Sequence, residues 1–234
     1  MTGAHPVKAV TFDLFGTLLA TRPWEEEVRL VQRIARARGL AVDPEAFLAA
    51  TIQHVSARTA TMRISRHLLA AGTRHALEAQ GHPTEHGDAF AEALHALHAA
   101  LPLFPDALPA LDRVAPLPVA IISNATEEEL QQILAATGLK ARVQVAVSAE
   151  RAGAWKPARA PFQLALRELG VRPEEALHVG DSLSDDVGGA KAAGMRAAWV
   201  NRNEKKREPG APAPDGEGAT LLEALAGLLP EPQA

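Results

Sequence analysis

A chain of 234 residues with 47% hydrophobic and 22% charged side chains can form one large domain, or a domain with a modest insert, around a real core. A net charge of −4 argues against general nucleic-acid or membrane-surface binding, and no apolar run approaches the roughly 20 residues that cross a bilayer. The absence of cysteine excludes disulfides and thiolate ligands. With no signal-peptide pattern around Val7 to Leu14, the expectation is a soluble, cytoplasmic protein.

Val7 to Phe12 is a β-branched, apolar run that predicts a first buried strand. After Thr21 the texture changes. Pro23 and Trp24 open a helical stretch that reaches about Arg38 and stops at Gly39. Asp43-Pro44 predicts the next helix start, with Asp43 as N-cap. From there to Ala100 the chain is rich in Ala, Leu, His and Arg, with breaks expected at Gly72, Gly81 and Pro83. Residues 21–100 are therefore expected to be all helical, and residues 1–20 and 101–234 to form an α/β core.

In that second part, strands are expected at Val119–Ile122, Val143–Val147, Ala176–Val179 and Arg196–Val200. Helices are expected from Thr126, with Glu129 completing a capping box, to Gly138, from Ala158 to Leu169, and from Ser184 to Ala193. Alternating strands and helices imply a parallel, Rossmann-like sheet with right-handed crossovers. Asn203 to Gly218 reads as a long polar loop before a final helix, and Lys205-Lys206-Arg207 within it as a solvated cluster.

Four short segments fall where strand patterns give way to small and polar residues. They are Asp13-Leu14-Phe15-Gly16-Thr17-Leu18, Ser123-Asn124, Lys156-Pro157 and Gly180-Asp181-Ser182 through Asp186. Open α/β sheets carry their chemistry at the carboxyl ends of strands. Together the segments supply a carboxylate able to attack phosphorus or a polarised carbon, a hydroxyl donor, a fixed cation and a second acidic cluster. That set suits a small anionic substrate and a divalent metal.

In order and spacing, these segments resemble the four motifs of the haloacid dehalogenase-like hydrolases, and the resemblance covers nearly the whole chain. It implies a Rossmann-like core with an all-helical cap inserted between the first two motifs. It also implies that Asp13 is the nucleophile, with Thr17, Ser123, Asn124 and Lys156 around a phosphoryl group. Mg²⁺ would sit on Asp13, the Phe15 carbonyl, Asp181 and Asp186. Asp185 reads instead as a helix-capping acid.

Phe15 departs from the pattern, because the family's phosphatases carry a proton-transferring acid two residues after the nucleophile. An aromatic there resembles the family's 2-haloacid dehalogenases, whose halide leaves without a proton. Those enzymes need no metal, however, and they keep a tyrosine six residues after the lysine, where this chain has Phe162. The resemblance therefore implies first a Mg²⁺-dependent phosphatase acting on a small phosphomonoester. A C–halogen hydrolase is the second possibility, and a non-catalytic phosphate-binding protein the third. Of the histidines, His95 with His98 and His82 with His86 have pair spacing but no third ligand, and His178 reads as a satisfied core residue.

Overall fold

In a computed structural model the chain is described over residues 5–20, 23–58, 66–99 and 101–229. It divides into two compact units, Met1–Ala20 with Pro102–Ala234, and Thr21–Leu101.

The first unit opens with β1 (Ala9–Phe12), buried along its whole length as a central parallel strand must be. The second unit follows as α1 (Trp24–Ala37), α2 (Pro44–Arg58), α3 (Arg66–Ala79), a short 3₁₀ turn over Thr84–His86 and α4 (Gly87–Ala99). Asp43 Oδ1 accepts from the amides of Glu45 and Ala46, the cap expected for α2. The helices close on a core of their own, in which Phe47 and Phe90 lie 4.7 Å apart. Gly72 is not a break but a mid-helix residue of α3. A Cβ there would stand 3.1 Å from the Thr51 carbonyl and from Val55 on α2, so glycine serves close helix packing. The break falls at Gly81 and Pro83, where Gly81 takes φ +73°.

The first unit then resumes with α5 (Ala107–Val114), β2 (Val119–Ser123), α6 (Glu127–Thr137), β3 (Val145–Ser148), α7 (Ala149–Ala152), α8 (Arg159–Leu169) and β4 (Ala176–Gly180). After these come α9 (Gly189–Ala192), β5 (Arg196–Val200), β6 (Gly216–Gly218) and α10 (Leu221–Leu225). Thr126 caps α6 by accepting from Glu129 N at 3.1 Å, and Gly138 ends that helix in the left-handed region. The six strands are all parallel in the order β3-β2-β1-β4-β5-β6. The chain is thus a Rossmann-type α/β protein whose strand order reverses between β1 and β4.

Two expectations need correction. Ser184 is not the cap of the helix after β4. Ser182 is, accepting from Asp185 N at 3.1 Å, and the turn it starts is a single wide π turn over Leu183–Gly188. The segment read as an unbroken loop, 203–218, ends in β6, which pairs with β5 through Gly216 and Gly218. A Cβ on either glycine would lie within 2.5 Å of α10, so close packing and not side-chain pattern makes this edge strand.

Candidate active site

Because β1 and β4 are neighbours in register, the residues that end them meet at the reversal point of the sheet. Asp13 follows β1, Asp181 follows β4, Ser123 closes β2, and Asp186 is carried back by the π turn. Carboxylate oxygens of Asp13, Asp181 and Asp186 lie within 4.8 Å of one another. Glycine makes that approach possible. Gly16, at φ +80°, has no side chain where a Cβ would stand 2.5 Å from Asp181 Oδ2, and a Cβ on Gly180 would stand 2.2 Å from Asp186 Cγ.

Lys156 enters this acidic cluster almost fully buried. Its ammonium donates to Asp13 Oδ1 at 2.5 Å and to Asp186 Oδ1 at 2.6 Å. The backbone of Lys156 is fixed in turn by the Asn124 side chain, whose Oδ1 accepts from Lys156 N at 2.8 Å and whose Nδ2 donates to Lys156 O at 3.4 Å. The Asn124 side chain therefore holds the lysine.

Burial, opposed by Lys156 and reinforced by the Asp186 and Asp181 carboxylates, pushes the Asp13 carboxyl up to about 7. Burial and Asp186 likewise raise Asp181 to about 6. Asp186 goes the other way. Burial works against its charge, but Lys156 and His178 outweigh it and hold the carboxyl well below the usual range. The Asp13 and Asp186 carboxylates overcome burial at Lys156 and keep it an ammonium.

Sequence reading missed a polar chain beneath the cluster. His178 Nε2 lies 3.2 Å from Asp186 Oδ1, and its Nδ1 lies 2.8 Å from Thr11 Oγ1. Burial lowers the His178 pKa, so the ring is neutral near pH 7. An ionised Asp186 can only accept, which fixes Nε2–H as donor and leaves Nδ1 to accept from the threonine. The signal was available in the sequence: each is a polar residue inside an apolar strand, and Thr11 and His178 are register partners.

Among the described residues, the buried atoms Asp13 Oδ2, Thr17 Oγ1 and Ser123 Oγ near these strand ends have no hydrogen-bond partner. Orphaned groups at buried sites are costly and rare, and here they form one acceptor and two hydroxyls. Phe15 is half-buried and forms a short bridge with Leu19. Phe162 does not stand in for the dehalogenase tyrosine as a polar group. Its ring packs edge-on against His178 at 5.0 Å in the sheet core. Among the described residues the acidic trio is the one cluster with metal-ligand geometry. His82 instead contacts the Ala41 carbonyl at 3.1 Å, and the side chain of His98 lies outside the described residues.

A six-stranded parallel sheet with acids converging at its reversal point defines an open α/β fold, whose ligand sites lie at that point. The family model of the haloacid dehalogenase-like hydrolases matches residues 7–194, and the chain belongs to that family. Its relatives fall on both sides of the family's chemistry. It is 35% identical over 154 residues to a phosphoserine phosphatase of Thermus thermophilus, covering 65% of this chain and 61% of that protein. It is 38% identical over 99 residues to an (S)-2-haloacid dehalogenase of Xanthobacter autotrophicus, covering 42% of this chain and 39% of that protein. Each match spans less than two thirds of the relative's length. Among solved structures, a 2-haloacid dehalogenase from Pseudomonas syringae superposes with a TM-score of 0.72 at 31% identity, over 94% of this chain and 98% of that one. No helix among the described residues is long and apolar enough to cross a membrane.

Proposed function

We propose that the chain is a Mg²⁺-dependent phosphatase acting on a small phosphomonoester, with Asp13 as nucleophile and residues 21–101 as its cap. The acidic cluster carries this reading. Three carboxylates face one buried ammonium, and that excess of negative charge, at strand ends built from glycine-permitted close approaches, matches a hard divalent cation with oxygen ligands. Asp13, Asp181 and Asp186 would hold the ion together with the Phe15 carbonyl. When bound, Mg²⁺ neutralises charge on the phosphoryl oxygens.

The protein's own groups do the rest. Lys156 occupies Asp13 Oδ1, which leaves Oδ2 as the attacking atom. Oδ2 bonds to phosphorus as the ester P–O bond breaks, and the departing alkoxide takes its proton from water, since Phe15 has none to give. A second water then attacks phosphorus, the bond to Asp13 breaks, and inorganic phosphate leaves. Thr17 and Ser123, with unspent buried hydroxyls, and the Asn124 amide are the donors for the phosphoryl oxygens, while Lys156 offsets their charge.

Phe15 favours the second reading, hydrolysis of a 2-haloacid by the same Asp13 oxygen, in which halide departs unprotonated. The two readings part in one assay. An aryl phosphate and 2-chloropropionate are each offered with Mg²⁺ and with EDTA. Aryl phosphate turnover that vanishes in EDTA supports the phosphatase. Haloacid turnover undiminished in EDTA would sink it.

A further inference from the structure

Arg202 follows β5 by two residues and was not singled out by any sequence motif. Its guanidinium makes a two-pronged pair with Asp106, at 3.0 Å to Oδ1 and 3.1 Å to Oδ2. The same group donates to the Thr17 carbonyl at 2.9 Å and, over a longer 3.4 Å, to the Gly16 carbonyl. Its flat face lies 3.7 Å from the centre of the Phe104 ring. Asp106 Oδ2 also accepts from Leu221 N at 2.8 Å, which ties the carboxylate to the start of α10. Only 17% of the Arg202 side chain is exposed.

These contacts converge on the turn that follows Asp13. Within it, Gly16 N bonds the Leu19 carbonyl, and Leu18 N and Leu19 N bond that of Leu14. The turn continues into paired crossings to the helical unit, where Ala20 N meets the Pro102 carbonyl and Phe104 N meets that of Leu18. A single side chain collects both the Gly16 and the Thr17 carbonyl. A lysine has no planar fork and can neither pair both Asp106 oxygens nor reach the two carbonyls at once.

We infer that Arg202 is a positioning residue of the active site. Clamped by Asp106 and supported by Phe104, it fixes the Phe15–Thr17 turn and so sets where the Phe15 carbonyl and Thr17 hydroxyl stand relative to Asp13 and Asp181. The inference concerns the loop and holds for phosphoryl or haloacid chemistry alike.

The test is amide hydrogen exchange on the full chain, wild type against Arg202→Lys and Asp106→Asn, with Lys191→Met as a control that removes a different ion pair beside β5. Arg202→Lys should speed exchange of the bonded amides of Gly16, Leu18 and Leu19 by about tenfold or more, while β1 and β4 stay as protected as in wild type. Asp106→Asn should do the same to a lesser degree, and it carries the test if Arg202→Lys does not fold. Steady-state kinetics on whichever of the aryl phosphate or 2-haloacid the wild type hydrolyses should show kcat down about tenfold at nearly constant KM, as misplacement and not lost affinity requires. Unchanged exchange in residues 14–19 overturns the inference whatever the substrate. So does faster exchange spread evenly across the sheet, or an equal effect from Lys191→Met.

Discussion

As the proposed nucleophile, Asp13 would have to be buried, charged and reactive at once, and its surroundings set the terms. Without a divalent ion its carboxyl is pushed up to about 7 and that of Asp181 to about 6, against an unfolded value near 3.9. Between about pH 4 and pH 7 the folded state therefore binds protons that the unfolded chain has released. Linkage makes stability fall as pH rises through that window. In EDTA the melting temperature should drop from pH 5 to pH 8, and Asp13→Asn should flatten part of that drop by removing one carboxyl. A steeper drop in the variant would contradict the assignment.

Phe15 poses the second question at this scale, because the proposed phosphatase, lacking a general acid, would depend on its leaving group. Aryl phosphates should be cleaved far faster than alkyl phosphates. Phe15→Asp should raise alkyl phosphate hydrolysis by roughly 10- to 100-fold, within the usual range of acid–base help. A wild type that cleaves both esters equally well, unaltered by the substitution, would mean that another group supplies the proton.

The element that matters most to the site is the π turn after β4, since it bends Asp186 back beneath Asp13. Asp186 Oδ2 accepts from Ser182 N at 3.0 Å, Asp186 Oδ1 takes Lys156, and Ser182 caps the turn. The geometry leaves no room at Gly180 for even a methyl group, because a new Cβ would fall 2.4 Å from Asp186 Cβ. Gly180→Ala should therefore cost about 1–3 kcal/mol by overpacking and displace Asp186. Activity should fall well beyond what the stability loss explains. A fully active Gly180→Ala, by kinetics on the wild type's substrate, would show that the placement of Asp186 is not limiting. By contrast, Thr126 caps α6, and its loss should cost about 1 kcal/mol of stability.

At the scale of the whole molecule, each unit has its own core. The sheet unit centres on residues such as Ile122, Phe162 and Trp199, and the helical unit on Phe47, Leu77 and Phe90. Local chemistry already wrote much of this into the sequence. Apolar runs ending in Asp13, Ser123 and Asp181 marked parallel strands and the polar groups at their carboxyl ends, because a buried strand must be apolar and a charged acid must stand at its edge. The Asp43 and Thr126 caps, and the Gly81 and Gly138 stops, were legible for the same reason: a cap acts over three residues of chain. What stayed hidden depends on partners far away in sequence. Gly72 reads as a breaker until Thr51 is seen pressed against it, and β6 as loop until α10 lies across its glycines. The link from Thr11 through His178 to Asp186 spans 167 residues at its longer step, and the clamp of Arg202 on Gly16 spans 186. Local sequence determined five of the six strands, the Asp43 and Thr126 caps and the polar residues at the strand ends. Only the folded chain decided which carboxylate the lysine reaches, which oxygen of Asp13 is left free and which arginine holds its loop, since each follows from distances closed by strand register and crossovers.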